Sequence, residues 1–236
     1  MLGLEGKVVW VTGGSRGIGA EIVALLEELG AKPAYCNRTL PGPKGFHVKA
    51  DVTDAAAMDA AVARVEKELG PIYGVVANAG VTADSLFPKL TQESWRSVMA
   101  TNLDGVYNTL RPVLPRLFER KAGSVVLISS IVGERGNVGQ ANYAASKAAL
   151  LGLAKSLARE GARHGVRVNA VAPGFIATEM IKSIPDKVKE RLLSDNPMGR
   201  FGEPREVAWA VAYLLSPAAA SYVTGVTLRV NGGQHT

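Results

Sequence analysis

The chain has 236 residues, one cysteine, three histidines and a formal charge of +6, long enough to bury a core without covalent staples. The lone Cys36 excludes an intrachain disulfide, and His47, His164 and His235 are too scattered for metal-ligand spacing, so no metal is expected. The positive charge is modest and unclustered, which argues against nucleic acid, and with no leader-like or membrane-spanning apolar run a soluble cytoplasmic protein without membrane attachment is expected.

Lys7 to Thr12, short and β-branched, predicts a first strand. It ends in Gly13-Gly14-Ser15-Arg16-Gly17-Ile18-Gly19, and Ala20 to Leu29, closed by Gly30, predicts a helix. Further strands are predicted at Lys32–Cys36, His47–Ala50, Gly74–Ala77, Ser124–Ser129, Arg167–Val171 and Thr227–Val230. Helices are predicted over Ala55–Leu69, Gln92–Arg120, Asn142–His164 and Pro204–Leu215. Between the second and third strands, Arg38 to Phe46 holds Pro41, Gly42, Pro43 and Gly45, which predicts a loop in place of a helix. The alternation implies an α/β fold, a doubly wound parallel sheet of about seven strands flanked by helices and joined by right-handed crossovers. No repeat or linker divides residues 1–236, so one domain is expected. The polar stretch around residues 175–197, punctuated by Pro185 and Pro197, reads as a lid over a site, its Lys187, Lys189 and Arg191 as solvated helix surface.

The loop between the first strand and helix carries the first chemical signal. Glycines 13, 17 and 19 let the chain turn sharply and bring backbone N–H groups and a helix N-terminus up to a pyrophosphate, as in Rossmann folds, with Ser15, Arg16 and Ile18 in the same loop. An isolated glycine loop is weak evidence, but here strand and helix flank it in the right order. The second strand ends in Cys36-Asn37-Arg38, with no acidic residue to bind a free ribose 2′-hydroxyl. Arg16 and Arg38 could instead clamp a 2′-phosphate, which favours NADP(H), although each alone also reads as solvated surface. Asp51-Val52 ends the third strand, where the carboxylate either accepts from an adenine amino group or caps the next helix.

Far downstream, Ser130 follows an apolar strand, and Tyr143 and Lys147 stand four residues apart on one predicted helix face. That spacing lets the ammonium lie close to the phenol and favour its ionised form, bringing a group of ordinary pKa ~10 toward useful acid/base chemistry. Hydride delivery to a carbonyl builds negative charge on oxygen, and two hydroxyls plus an ammonium stabilise that charge. Singly, a tyrosine-lysine pair is usually surface packing and a serine after a strand usually starts a turn.

The Thr-Gly-Gly-Ser-Arg-Gly-Ile-Gly loop, with three residues between its first two key glycines, together with Asn78-Ala79-Gly80, Ser130, Tyr143, Lys147 and Pro173-Gly174, resembles the short-chain dehydrogenase/reductase family over essentially the whole chain. The resemblance implies that Tyr143 protonates the nascent alkoxide, that Lys147 binds nicotinamide ribose and lowers the phenol pKa, and that Ser130 holds the substrate carbonyl. Asn102 matches the position whose backbone carbonyl links Lys147 to a water relay. It assigns Asp51 and Val52 to adenine, Asn78, Ala79 and Gly80 to the adenosine side, and Pro173, Gly174, Ile176 and Thr178 to the nicotinamide and pyrophosphate. Ala77 stands where the family's first asparagine usually lies.

Within the family the chain is most like reductases of 3-oxoacyl thioesters on acyl carrier protein in fatty acid synthesis, with Gln140 near the reacting carbonyl and Phe175 bordering an acyl channel. Members acting on acyl-CoA, small ketones or secondary alcohols share the same residues, and a non-catalytic NADP-sensing protein would share the fold. Carrier proteins are acidic, so Arg120, Lys121 and Arg163 read either as docking residues or as ordinary surface. The resemblance also implies a homotetramer. Ala144, Ala145, Ala148, Ala149 and Gly152 would permit close helix pairing, and the last strand is expected at a sheet edge as a second interface.

Overall fold

The computed structural model describes residues 2–39, 42, 44–178 and 192–236. Its strands are β1 (Val8–Thr12), β2 (Lys32–Asn37), β3 (Phe46–Lys49), β4 (Ile72–Ala77), β5 (Gly123–Ile128), β6 (Val166–Pro173) and β7 (Thr227–Val230). They form one seven-stranded sheet in the order β3-β2-β1-β4-β5-β6-β7, with every pairing parallel. The helices are α1 (Gly17–Glu28), α2 (Ala55–Leu69), α3 (Gln92–Met99), α4 (Gly105–Leu110), α5 (Leu114–Arg120), α6 (Ile131–Arg135), α7 (Ala141–Ala162) and α8 (Pro204–Leu215). The doubly wound α/β reading is thus confirmed, with β7 at one edge as expected.

Helices on both faces explain why β1, β5 and β6 are buried along their whole length. On one face Trp10, Met58, Val62, Leu117 and Leu150 pack together, and on the other Leu4, Ile22, Leu26, Tyr35 and Leu214 do so. Strand order reverses across β1 and β4. The loops leaving their carboxyl ends therefore diverge and open the crevice where such sheets take ligands.

Two predicted elements differ. The continuous helix expected over Gln92–Arg120 is broken twice, first by a π-helical turn over Ala100–Asp104 and then at residues 111–113, beside Pro112 and ahead of Pro115 in the first turn of α5. A short helix, α6, appears in the Ser130–Tyr143 run, where none is predicted. Ser130 caps it by accepting from Val132 N at 3.1 Å, and five residues interrupted by Gly133 and ended by Gly136 are too few to show a helical period. Between β2 and β3 the described residues hold no helix, as expected, while Leu40, Pro41 and Pro43 lie outside the description. Of the lid expected over 175–197, residues 179–191 lie outside the described residues, among them Pro185, Lys187, Lys189 and Arg191.

Arg167 on β6 is a buried cation whose guanidinium is held by backbone carbonyls. Its guanidinium donates to the carbonyls of Leu214 (2.7 Å), Leu215 (3.2 Å) and Ser216 (3.2 Å), the orphan acceptors at the end of α8. Leu214 O also accepts from Ser124 Oγ (2.9 Å) and Leu215 O from Tyr73 Oη (3.3 Å), so Arg167→Met, which keeps the stem, removes the charge-assisted bonds without orphaning these two carbonyls. It is expected to cost roughly 2–4 kcal/mol in urea unfolding.

Candidate active site

Each chemical group expected from the sequence leaves the carboxyl edge of the sheet. The phosphate loop follows β1, Asn78-Ala79-Gly80 follows β4, Ser130 follows β5 and Gly174–Thr178 follows β6. Gly13 adopts φ +69° and Gly17 φ +54°, and a Cβ on Gly19 would stand 2.1 Å from Gly13 O, so the loop closes only with glycine at these places. No acidic residue lies in the first turn of α1, leaving its positive end free for an anion. Thr178 reaches back across this loop, its Cγ2 3.5 Å from where a Cβ on Gly17 would be.

Thr12, read from the sequence only as the strand end that opens the glycine loop, holds the loop to β4. Its Oγ1 accepts from Asn78 N and Ala79 N, both at 3.1 Å, while Asn78 Nδ2 donates to Thr12 O (2.9 Å) and Gly13 O (3.2 Å). The Asn78 side chain is thus spent internally. Val52 O accepts from Asn108 Nδ2 at 2.8 Å, fixing the turn after β3. Asp51 is not the cap of α2. Asp54 has that position, accepting from Ala57 N at 3.0 Å, because it immediately precedes the first turn. Asp51 Oδ1 instead accepts from Thr53 N and Thr53 Oγ1 at 2.9 Å, and Oδ2 lies 3.9 Å from the exposed Arg38. Arg16, at the N-cap of α1, is exposed as well.

Ser130, Tyr143, Lys147 and Asn102 converge. Lys147 is buried, and its Nζ donates to Ile128 O at 2.7 Å and lies 5.7 Å from the Tyr143 ring centroid. Burial lowers its pKa to about 8. Asn102 sits in the π-helical turn, a device that recurs at functional sites, and is fully buried. Its Oδ1 accepts from Val81 N (2.8 Å), and its Nδ2 donates to Val81 O (3.0 Å) and Ser146 Oγ (3.1 Å). Ser146 Oγ in turn donates to Tyr143 O at 2.8 Å, linking the turn to α7. A Cβ on Gly80 would lie 3.4 Å from Asn102 Oδ1 and 3.5 Å from Lys147 Nζ, so the loop after β4 closes directly over this pair.

The expected lowering of the phenol pKa by Lys147 is not what this arrangement produces. Burial pushes Tyr143 upward, the Ser130 hydroxyl pulls the other way through a hydrogen bond, and the Asp84 carboxylate adds to the rise. Lysine-to-phenol spacing along a helix says nothing about desolvation, and here desolvation dominates. The phenol is therefore a neutral proton donor at ordinary pH. Asp84 also accepts from Gln140 Nε2 at 3.0 Å, and no sequence signal marked it.

Phe175 N donates to Gln234 Oε1 at 3.4 Å, and Ile176 pairs with Gly202 as an isolated bridge. Phe175, Ile176, Met198 and Val230 border a cavity of about 300 Å³ that none of Ser130, Tyr143 or Lys147 lines. Arg120, Lys121 and Arg163 stand at the other edge of the sheet. They precede the amino ends of β5 and β6, whereas Ser130 follows β5 a strand length of about 20 Å away. Within one subunit they do not border Tyr143. Among the described residues no three His, Cys, Asp or Glu side chains converge as metal ligands, and no helix is long and apolar enough to cross a membrane.

An anion cradle at the switch point of a parallel sheet, beside two hydroxyls and a buried amine, defines an oxidoreductase working on C=O/CH–OH groups. A family model described as "Enoyl-(Acyl carrier protein) reductase" matches residues 13–235, and the chain belongs to the short-chain dehydrogenase/reductase family, whose reductases use a nicotinamide cofactor. Among curated relatives, the chain is 58% identical to an acetoacetyl-CoA reductase of Synechocystis sp., covering 100% of this chain and 99% of the relative. It is 46% identical to an acetoacetyl-CoA reductase of Rhizobium meliloti (97% and 98% covered) and 43% identical to a 3-oxoacyl-[acyl-carrier-protein] reductase of Vibrio cholerae (99% of each).

Proposed function

We propose that the protein reduces the keto group of a short 3-oxoacyl thioester to the 3-hydroxyacyl thioester with NADPH, acetoacetyl-CoA being the substrate that the 58% relative favours. The observation that carries the reading is the meeting of Ser130, Tyr143 and Lys147 beside a glycine cradle that admits no Cβ at residue 19. NADPH supplies the hydride when bound. Gly13, Ser15, Arg16, Gly17, Ile18 and Gly19 hold its pyrophosphate, Asp51, Val52, Asn78, Ala79 and Gly80 its adenosine side, and Pro173, Gly174, Ile176 and Thr178 its nicotinamide end. Arg16, Asn37 and Arg38 take the 2′-phosphate, for which the solvated 3.9 Å contact between Arg38 and Asp51 is a weak competitor.

Ser130 donates to the substrate carbonyl oxygen and Tyr143 passes its phenolic proton to that oxygen as negative charge develops. Lys147 stabilises the phenolate left behind, and the backbone at Asn102 relays a replacement proton. Gln140, braced by Asp84, and Phe175 border the acyl group. We further propose a single cytoplasmic domain that assembles as a homotetramer. Exposed Tyr107 on α4, Ala148 and Gly152 on α7, and Trp209 and Tyr213 on α8 support two apolar contact faces.

A second reading places the acyl group on acidic acyl carrier protein in fatty acid synthesis, as the name of the 43% relative supports. The position of Arg120, Lys121 and Arg163 away from their own subunit's Tyr143 weighs against it. Initial rates with acetoacetyl-CoA and with acetoacetyl-carrier protein, each with NADPH and NADH, separate the two. Faster NADPH turnover of the CoA thioester is expected, faster turnover of the carrier thioester selects the second reading, and no turnover of either overturns both.

A further inference from the structure

Tyr35 lies within β2 with no exposed surface. A Cβ on Gly14 would stand 2.5 Å from Tyr35 Cβ, so the phosphate loop runs directly against this side chain. At its far end, Tyr35 Oη accepts from Gly42 N at 2.5 Å and donates to Gly42 O at 3.3 Å. A Cβ on Gly42 would fall 3.1 Å from Ser15 Cα, and one on Gly45 would fall 3.4 Å from Tyr35 Cδ1. One buried phenol therefore touches a glycine of the phosphate loop and two glycines of the β2–β3 connection. The His47 ring lies tilted at 38° to it with centroids 5.2 Å apart, and His47 Nε2 bonds Asn37 Oδ1 at 2.7 Å, beside Arg38.

We propose that Tyr35 is a positioning residue for recognition of the dinucleotide 2′-phosphate, acting through Gly42; this rests on the NADPH reading above. The connection starting at Arg38 has no helix among its described residues to order it. Without an internal tie, its ordering entropy would fall on ligand binding. The hydroxyl supplies that tie. It pins Gly42 against Ser15 and so fixes that point of the connection beside the phosphate loop before ligand arrives. A phenylalanine at position 35 would keep the ring in the core but hold nothing in the connection.

Tyr35→Phe keeps the ring in the core and removes both bonds. Calorimetric Kd values for 2′,5′-ADP and 5′-ADP, probes that differ in the 2′-phosphate, read the effect without turnover. In Tyr35→Phe the Kd for 2′,5′-ADP is expected to rise about five- to tenfold, the range of one lost hydrogen bond, with the Kd for 5′-ADP changing less than about twofold. The melting midpoint falls by only about 2–4 °C, one hydrogen bond's worth for a chain of this size, and kcat at saturating NADPH stays at the wild-type value. A wild type that binds both probes equally overturns the NADPH reading and this proposal together. A wild-type preference for 2′,5′-ADP that survives Tyr35→Phe unchanged overturns this proposal alone. Equal weakening of both probes assigns the hydroxyl a structural role and also overturns it.

Discussion

Tyr143→Phe is expected to lower kcat for 3-oxoacyl thioester reduction by about a thousandfold or more, within the range of a lost general acid in a pre-formed site. The variant removes one oxygen from a ring held in α7, and the cradle around Gly13–Gly19 is built by other strands, so the Kd for NADPH should stay within about twofold. Stopped-flow single turnovers and fluorescence titration check the two halves. The outcome that would sink the assignment is a variant keeping more than a tenth of wild-type turnover. The upward push of burial on the phenol bears on this result: Tyr143 is fully protonated at neutral pH, the form a reductase needs before each turnover.

Lys147→Met is expected to abolish turnover while raising the melting midpoint at pH 7, because the wild type holds an ammonium in a buried site there. The pH dependence follows from linkage. The folded pKa of about 8 lies below the ordinary 10.5. Below pH 8 both states carry the proton and this lysine gives no slope. Between about 8 and 10.5 the unfolded chain binds more protons than the folded one, so wild-type stability rises with pH. The advantage of Lys147→Met should therefore shrink between pH 7 and pH 9.5 in differential scanning measurements. An advantage that is absent at pH 7, or that grows with pH, would contradict a buried, charge-destabilised lysine. The loss of the bond to Ile128 O opposes the gain.

Much of the site was legible because its parts are local. A strand, three glycines at fixed offsets and a helix make an anion cradle in any such fold, and Tyr143 and Lys147 meet through helix spacing alone. The parallel pairing followed from alternation and crossover handedness, while the order β3-β2-β1-β4-β5-β6-β7 came from the structure. The helix over Gln92–Arg120 was overdrawn, because continuous apolar periodicity masks a π-helical turn that adds a residue without breaking the amphipathic face. Its second break could have been read from Pro112 and Pro115.

Three other features depend on contacts between distant segments. Thr12 binds Asn78 and Ala79 only because β1 and β4 are neighbours, although 66 residues separate Thr12 from Asn78. Arg167 finds the end of α8 because that helix packs over β5 and β6. Asp84 enters the site because the loop after β4 folds against Gln140.

The sequence by itself determined the class of fold, the location of the phosphate loop and the identity of the hydroxyl and amine groups, since each is written in spacing along one strand, turn or helix. The tertiary structure decided their electrostatic state and their supports: a phenol raised where helix spacing alone predicts lowering, an asparagine after β4 spent on the glycine loop after β1, and a buried tyrosine tying two glycine segments together. Desolvation and partner choice are set by which elements surround a group, and that is a property of the assembled sheet and its helices.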